Sequence, residues 1–179
     1  MRKILLIILL IVSPRLMDAQ KLKNNGLSLP ENSAIAVSFL YDQAMINYTS
    51  YSDFCERNTD FEKDKFDAET RFIGTLNNNF KKYNRFQKKF HKRSMSFFHK
   101  GDDIPSIELV LIPSSINNNG DFSGSAIITD NNGNTAVIED LHGKGGQWGS
   151  FVNLMGDGYQ SVAEKIYKIF VRAIQKGEL

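Results

Sequence analysis

The sequence predicts an α+β domain in which a mainly antiparallel sheet carries two packed helices, the second of them a long carboxyl-terminal helix. Two observations support this fold class. Apolar residues recur with helical spacing in the middle of the chain and again at its end. Between these stretches lie short segments rich in strand-favouring residues, two of which are joined by an Asn-Asn-Gly turn. Helices kept apart from a hairpin-rich region favour an α+β arrangement.

The first nineteen residues have the features of an export signal. Arg2 and Lys3 precede nine unbroken apolar residues at 4–12, Pro14 ends that run, and a small residue follows at Ala19. A membrane-spanning helix needs about 20 apolar residues, so the run is too short to span. We therefore expect residues 1–19 to be a cleaved signal that leaves no stable transmembrane helix, and the mature protein to be periplasmic or secreted.

Charge and cysteine content limit the classes of partner, disulfide and lipid anchor that the mature chain can have. The signal contains three bases and only one acid, Asp18, so its removal cancels the formal net charge of +2. A neutral mature chain argues against nucleic acid as a partner. Cys55 is the only cysteine, which excludes an internal disulfide. Gln20, rather than a cysteine, follows the signal, so we expect no lipid anchor.

The mature chain divides into a lead-in and one domain. Residues 20–33 are polar and include Asn24-Asn25-Gly26 and Pro30, which predicts a flexible lead-in. A single α+β domain is expected over residues 34–179. Its first strand is predicted at 34–41, where Ile35, Val37 and Phe39 alternate with small or polar residues.

The first helix is predicted after the acidic segment 53–69, which is typical of a solvated connection or of a helix amino terminus. The helical stripe consists of Phe66, Ile73, Leu76, Phe80 and Tyr83. Gly74 lies inside this stripe. Either the helix tolerates a cost of about 1 kcal/mol there, or another backbone approaches closely.

A basic segment with interleaved aromatics follows at 81–100, where eight Lys or Arg occur without an acid. Its candidate contact residues are Lys88, Lys89, Lys92 and Arg93. Cations mixed with aromatic rings can bind anionic lipid or glycan surfaces, although they can also form a solvated face that covers apolar side chains. The pattern does not decide where helix gives way to strand in this segment.

The remaining elements are predicted with clearer patterns. Residues 107–112 form a nearly continuous apolar run, typical of a central strand covered on both faces. A turn at 117–120 leads into a hairpin. Its first arm contains the alternating residues Phe122, Gly124, Ala126 and Ile128, the segment Asp130-Asn131-Asn132-Gly133-Asn134 reverses the chain, and residues 135–141 form the second arm. A final helix is expected over about 158–175, with Asp157 and Gln160 as a capping box and Gly177 as its stop.

The glycine-rich segment 143–149 does not match a phosphate-binding loop, because no Ser or Thr follows its Gly-Lys and Trp148 replaces a required glycine. It is either a flexible connection or, through Lys144 and Trp148, an exposed contact surface. The carboxylates Asp130, Glu139 and Asp140 are explained by turns and strand ends. The histidines lack the spacing of a metal pair. We therefore expect no catalytic set, no metal and no cofactor.

The carboxyl-terminal part of the chain resembles a known family. The succession of Ile107 to Ile112, Ser125 to Ile138, Gly143 to Gly149 and Tyr159 to Ile174 is similar to small Gram-negative envelope proteins with the fold of the TolB amino-terminal domain, LpoB and the CsgG periplasmic domain. The resemblance implies a non-enzymatic adaptor that binds another envelope component. It transfers no binding residue, and it does not cover the basic segment.

Three functions therefore remain open. The first is an exported, non-enzymatic binding or adaptor protein of the cell envelope, with an envelope protein as its partner. The second is a hydrolase of envelope glycan or lipid, for which Glu139, Asp140 and His142 are the residues to test. The third is a protein that binds anionic lipid or glycan through the basic segment, an interaction that salt would weaken.

Overall fold

The computed structural model describes residues 22–86, 93–101 and 105–179. The strands are β1 (Leu22–Asn25), β2 (Asn32–Phe39), β3 (Met45–Ile46), β4 (Thr49–Ser50), β5 (Ser94–His99), β6 (Ile107–Ile116), β7 (Phe122–Asp130) and β8 (Thr135–Gly143). The helices are α1 (Tyr51–Arg57), α2 (Phe61–Phe86) and α3 (Phe151–Lys176). The predicted signal at 1–19 lies outside the described residues. None of the described helices carries an apolar run long enough to cross a bilayer.

The described strands form one mixed sheet in the order β1-β8-β7-β6-β2-β5, with the short β3 and β4 attached beside β6. From β1 to β6 the neighbours are antiparallel, whereas β2 is parallel to both β6 and β5. The parallel half arises because α2 carries the chain from β2 to β5, and parallel neighbours need such a crossover. The α+β class and the long carboxyl-terminal helix are confirmed, but the expectation of a mainly antiparallel sheet is only partly confirmed.

The core lies between the sheet and the helices α2 and α3. Alternate residues of β6 are buried, while those between them are half-exposed, the pattern of a strand with one covered face. This corrects the expectation that β6 is covered on both faces. Phe80 of α2 lies 5.5 Å from Phe97 of β5, and Phe122 of β7 lies 5.5 Å from Tyr159 of α3. Aromatic rings therefore join both helices to the sheet.

The hairpin of β7 and β8 forms as predicted, and Asp130 organises its turn. Asp130 Oδ1 accepts the backbone N–H groups of Asn132 and Asn134 at 2.8 and 2.9 Å. Together with a bond from the Asn134 side chain, these bonds hold the pKa of Asp130 below its usual value. Turn chemistry thus accounts for this carboxylate.

The sequence pattern did not decide where helix gives way to strand in the basic segment 81–100. In the structure residues 94–99 form strand β5.

The amino-terminal part of the fold differs from the prediction. Residues 22–29 were expected to belong to a flexible lead-in, but β1 pairs with β8, and Leu27 and Leu29 are buried. Two leucines separated by a polar residue form too short a pattern to indicate a strand or a helix. Both leucines belong to the hydrophobic core.

Among the described residues two helices precede β5, although one was predicted. The hydroxyl of Ser50 accepts the backbone N–H of Asp53 at 3.2 Å and thereby caps the short helix α1. Helix α2 contains the predicted apolar stripe, whose members are buried from Ile73 to Tyr83. Phe66 is the exception, because its side chain is 54% exposed. Its assignment to the core is therefore wrong.

Helix α3 begins at Phe151, about two turns earlier than predicted, and its N-cap is Ser150. The expected capping role of Asp157 is wrong, since this residue lies inside the helix. The predicted end is confirmed: Gly177 adopts a left-handed conformation with φ 70° and donates its N–H to Ala173 O and Ile174 O.

The glycines beside α3 permit close backbone contact. A Cβ on Gly158 would lie 2.0 Å from the carbonyl oxygen of Gly120, and a Cβ on Gly145 would lie 1.8 Å from that of Asn119. The N–H of Gly145 also donates to Asp121 Oδ1 at 2.8 Å. The first half of the glycine-rich segment is therefore packed against α3 and is not the flexible connection that was one expectation.

Candidate functional site

A cleft of about 600 Å³ opens where the β3–β4 turn, the α1–α2 connection and the start of α3 meet. We call it the aromatic cleft. Its lining residues are Asn47, Phe54, Arg57, Asn58, Thr59, Asp60, Phe61, Asp64, Ser150, Phe151 and Val152. Clefts of this size with apolar walls and a few polar groups are the usual form of small-molecule sites.

Three phenylalanines from three helices form the apolar wall of the aromatic cleft. Phe54 of α1 meets Phe61 of α2 edge-on at 4.9 Å, and the Phe61 ring stacks on Phe151 of α3 at 6.3 Å. Phe54 also lies 5.8 Å from Phe151. The side chain of Asn58 donates to the carbonyl oxygen of Phe54 at 2.8 Å, which ends α1 so that the chain reverses directly into α2. Local capping thus brings the rings together.

Planar polar side chains share the aromatic cleft with these rings. They are the amides of Asn47 and Asn58, the guanidinium of Arg57, and the carboxylates of Asp60 and Asp64. Amide, guanidinium and carboxylate groups can each form paired hydrogen bonds to neighbouring hydroxyls. The side-chain oxygen of Asn47 is buried and has no hydrogen-bond partner within the described residues. The cleft therefore combines apolar surface with hydrogen-bonding capacity.

Two large aromatic residues that are close in the chain to lining residues of the aromatic cleft are almost fully exposed. Tyr48 directly follows the lining residue Asn47 and is 83% exposed. Trp148 is separated from the lining residue Ser150 by Gly149 alone and is 89% exposed. Aromatic residues that expose this much surface are typical of recognition surfaces. Trp148 was predicted as a contact residue from the sequence, whereas Tyr48 was missed.

Backbone geometry marks Tyr48 as unusual. The two-residue turn between β3 and β4 places Asn47 at φ 49° and Tyr48 at φ 65°. A turn with both central residues at positive φ favours Asn followed by Gly, and a bulky residue in that region costs roughly 1–2 kcal/mol. The chain holds an exposed tyrosine where glycine would be more stable. A tyrosine at a turn position that favours glycine is a sign of a functional residue. The sequence alone did not reveal it, because the turn at 47–48 was not predicted.

A polar network lies next to Phe61, whose ring centre is 6.4 Å from that of Tyr51. Tyr51 stacks on Tyr41 at 5.2 Å. The Lys65 ammonium lies 5.0 Å from the centre of the Tyr41 ring and 5.2 Å from that of the Tyr51 ring. Lys65 and Tyr51 both donate to Glu62, at 2.6 Å each. These bonds hold the pKa of Glu62 below its usual value, whereas burial and the bond to Glu62 raise that of Tyr51. The half-buried thiol of Cys55 lies 3.8 Å from Glu62 and completes this network.

The predicted contact residues do not form one surface. Lys144 is exposed near Trp148, and its backbone N–H donates to Ser161 Oγ at 3.1 Å. Arg93 pairs with Glu31 at 3.6 Å and contacts Asn84 near the end of α2. The aromatic cleft lies at the opposite end of this helix, at Phe61, roughly 35 Å from Asn84 at 1.5 Å per residue. Lys88, Lys89 and Lys92 lie outside the described residues.

The residues of the predicted hydrolase alternative do meet. Glu139, Asp140 and His142 line a shallow cleft of about 350 Å³, and Ser123 Oγ lies 3.0 Å from His142 Nδ1. Asp140 adopts φ 52° where the pairing of β7 with β8 shifts beside Gly124. Such an irregularity re-aims side chains. A hydroxyl within hydrogen-bond reach of an imidazole is a minimal nucleophile and base.

Comparison with known proteins finds no matching family model, no similar curated protein and no similar solved structure. The resemblance to envelope proteins of the TolB, LpoB and CsgG type therefore stays a prediction. Within the described residues no group of His, Cys, Asp and Glu is arranged to hold a metal ion. A functional interpretation must therefore rest on the geometry of the clefts.

Proposed function

We propose that this chain is an exported, non-enzymatic binding protein of the cell envelope that holds a neutral saccharide in the aromatic cleft. The observation that carries the proposal is the pair Tyr48 and Trp148, two exposed aromatic residues within two positions along the chain of residues that line a cleft with aromatic walls and planar polar groups. A pyranose ring has an apolar C–H face and a rim of hydroxyls. Aromatic rings pack on the apolar C–H face, and amide, carboxylate and guanidinium groups form hydrogen bonds with the hydroxyls.

Charge favours a neutral saccharide over an anionic one. Arg57 is the basic member of the lining set, whereas Asp60 and Asp64 contribute two carboxylates. An anionic sugar would meet net repulsion, which works against binding. The acidic lining also makes this cleft unsuited to the anionic lipid or glycan that the basic segment 81–100 suggested. That contact stays a separate prediction for Lys88, Lys89 and Lys92.

Export is the second part of the proposal. It is supported by the charged start, short apolar run and small residue at 1–19. Outside the cytosol the protein would meet envelope polysaccharide directly. Determination of the amino terminus of the natural protein tests this part: a protein that begins near Gln20 in an envelope or culture fraction agrees with export, and an intact Met1 in the cytosol contradicts it.

The test of saccharide binding is calorimetric titration of the purified protein with neutral cello-, malto- and chito-oligosaccharides. We expect one of these series to bind and Trp148→Ala and Tyr48→Ala each to weaken binding by about 10-fold, since a lost aromatic contact is worth about 1 kcal/mol or more. Phe98→Ser is the matched control, because Phe98 is 43% exposed on β5, away from the aromatic cleft. Binding that survives both cleft variants, or no binding at millimolar saccharide, contradicts the proposal.

Hydrolysis is the second candidate function, favoured by the 3.0 Å contact between Ser123 and His142. A fluorophosphonate probe, which labels activated serine hydroxyls, should modify Ser123 in the native protein and not in His142→Ala. Ser114→Ala is the matched control, because Ser114 lines the same shallow cleft. The absence of labelling at Ser123, together with no esterase activity, removes this candidate.

A further inference from the structure

A second opening lies at the carboxyl ends of the parallel strands β2 and β5, under the first half of α2. We call it the polar cleft. It measures about 330 Å³, and its lining includes Phe39, Lys65, Phe66, Glu69, His99 and Lys100. The carboxyl ends of parallel strands are the preferred ligand sites of open α/β sheets, because the connections leave a crevice there. Neither the saccharide proposal nor the Ser123–His142 pair uses this cleft.

A buried carboxylate faces the polar cleft. Glu69 is only 8% exposed, and its Oε1 accepts the hydroxyl of Tyr41 at 3.0 Å. The hydroxyls of Tyr41 and Tyr159 lie 2.6 Å apart, and both rings are buried. Burial raises the pKa of Glu69 above its usual value. A carboxyl group in this position is costly for the folded state unless a partner compensates its charge.

The two lysines that line the polar cleft with Glu69 are already paired with other acids. Lys65 forms an ion pair with Glu62 at 2.6 Å, and Lys100 forms one with Glu108 at 2.9 Å. Within the described residues Glu69 has no ion-pair partner within 4.0 Å. The carboxylates of Glu62, Glu69 and Glu108 therefore outnumber the two lysine ammonium groups by one. The unpaired negative charge is that of Glu69, at the buried end of the cleft.

A flat apolar platform stands beside this carboxylate. The ring of Phe66 is 54% exposed and stacks on His99 at 4.7 Å with an interplanar angle of 18°. The hydroxyl of Thr70 lies 3.1 Å from His99 Nε2 and holds the imidazole in place. Burial lowers the pKa of His99, so the imidazole adds no positive charge at neutral pH. The exposure of Phe66, which the helical pattern assigns to the core, is explained if this ring contacts a ligand.

We propose that the polar cleft binds a small primary ammonium compound with a flat or apolar body, its ammonium group on Glu69 and its body on the Phe66–His99 platform. The ammonium group supplies the missing positive charge and donates charge-assisted hydrogen bonds to the carboxylate. The body covers the exposed face of Phe66 and removes apolar surface from water. The site is independent of saccharide binding, and a single ammonium charge distinguishes its ligand from the neutral sugars of the aromatic cleft.

Three probes of nearly equal size test the proposal on the purified protein: 2-phenylethylammonium, uncharged 2-phenylethanol and anionic phenylacetate. Titration is followed by ¹H–¹⁵N correlation spectra, which report where each probe binds. We expect the ammonium probe to shift the amides of β2, β5 and α2 around the cleft. It should bind about 10-fold more tightly than the alcohol, since loss of one charge-assisted bond corresponds to about that factor. Phenylacetate should bind most weakly.

Two variants locate the site. Glu69→Gln keeps the shape and an acceptor for Tyr41 but removes the charge, so it should lower the affinity for 2-phenylethylammonium by about 10-fold. Phe66→Ala changes an exposed side chain, leaves the fold intact and should also weaken binding. Trp148→Ala is the control and should leave the affinity unchanged, which separates this site from the saccharide site. Equal binding of all three probes, unchanged affinity in Glu69→Gln, or no shifts near the polar cleft overturns the proposal.

Discussion

The close contact between α3 and the turn before β7 leads to a prediction with an internal control. Gly158 and Gly74 both lie inside long helices, α3 and α2, and alanine is favoured over glycine there by about 1 kcal/mol. Their surroundings differ. A Cβ on Gly74 meets no atom within 4 Å, whereas a Cβ on Gly158 would lie 2.0 Å from Gly120 O. The same substitution should therefore have opposite effects at the two sites.

The size of each effect follows from these distances. Gly74→Ala gains helix propensity without a clash and should stabilise the fold by about 1 kcal/mol. In Gly158→Ala the oxygen of Gly120 must move by more than an ångström (~1.4 Å to reach ordinary contact), and such overpacking costs typically 1–3 kcal/mol or more. After the propensity gain, we expect a net loss of about 2 kcal/mol.

Urea and thermal unfolding followed by circular dichroism measure both variants against the native protein. At about 2–4 °C per kcal/mol for a chain of this size, the melting temperature should rise by about 3 °C in Gly74→Ala and fall by about 6 °C in Gly158→Ala. If Gly158→Ala is as stable as Gly74→Ala, the contact between Gly158 and Gly120 does not exist in solution, and the placement of the start of α3 is wrong.

Three further predictions concern stability. Asp121→Asn weakens the bond from Gly145 N–H and should cost about 1–2 kcal/mol at pH 7. Because hydrogen bonds from Asn117 and Gly145 hold the pKa of Asp121 below its usual value, this contribution is present above the unfolded pKa and is lost as the pH falls through the folded pKa, so the difference in stability between the variant and the native protein should narrow in acid. Tyr48→Gly should stabilise by about 0.5–1 kcal/mol in chemical denaturation while weakening saccharide binding. Leu29→Ala should lower the free energy of unfolding by about 2–4 kcal/mol, because Leu29 is buried. Leu40→Ala, at an exposed position, should lower it by less than about 0.5 kcal/mol. Equal losses in the two variants would contradict the burial of Leu29 and would favour the original prediction of a flexible lead-in at 20–33.

The sequence predicted those elements whose pattern is local. The hairpin of β7 and β8 was found because Asp130 and the following Asn-Asn-Gly carry the turn chemistry themselves. The end of α3 was found because Gly177 is the residue that a left-handed cap favours. In both cases the deciding interactions lie within a few residues of one another, so a single stretch of sequence contains the whole signal.

Elements that depend on distant partners were missed or misplaced. β1 exists through its pairing with β8, and Leu29 is buried by residues far along the chain. The parallel pairing of β2 with β5 and β6 depends on where α2 returns the chain, which no local pattern encodes. The start of α3 was placed too late because Asp157 and Gln160 were interpreted as a capping box, whereas both lie inside the helix, whose N-cap is Ser150.

The candidate sites lie where local sequence rules and the fold disagree. Tyr48 occupies a turn position that favours glycine, and Phe66 belongs to an apolar stripe but faces solvent. Glu69 carries a carboxyl group into the core beside two tyrosines. Each choice costs the folded protein stability, and a chain selected for folding alone would remove it. Tyr48 directly follows Asn47, which lines one cleft, and Phe66 and Glu69 line another, so these costly residues lie at or next to the positions where a ligand could compensate for them. If the stabilising variant Tyr48→Gly retained full saccharide affinity, this reasoning would fail for the aromatic cleft, while the polar cleft would still be judged by the ammonium probes.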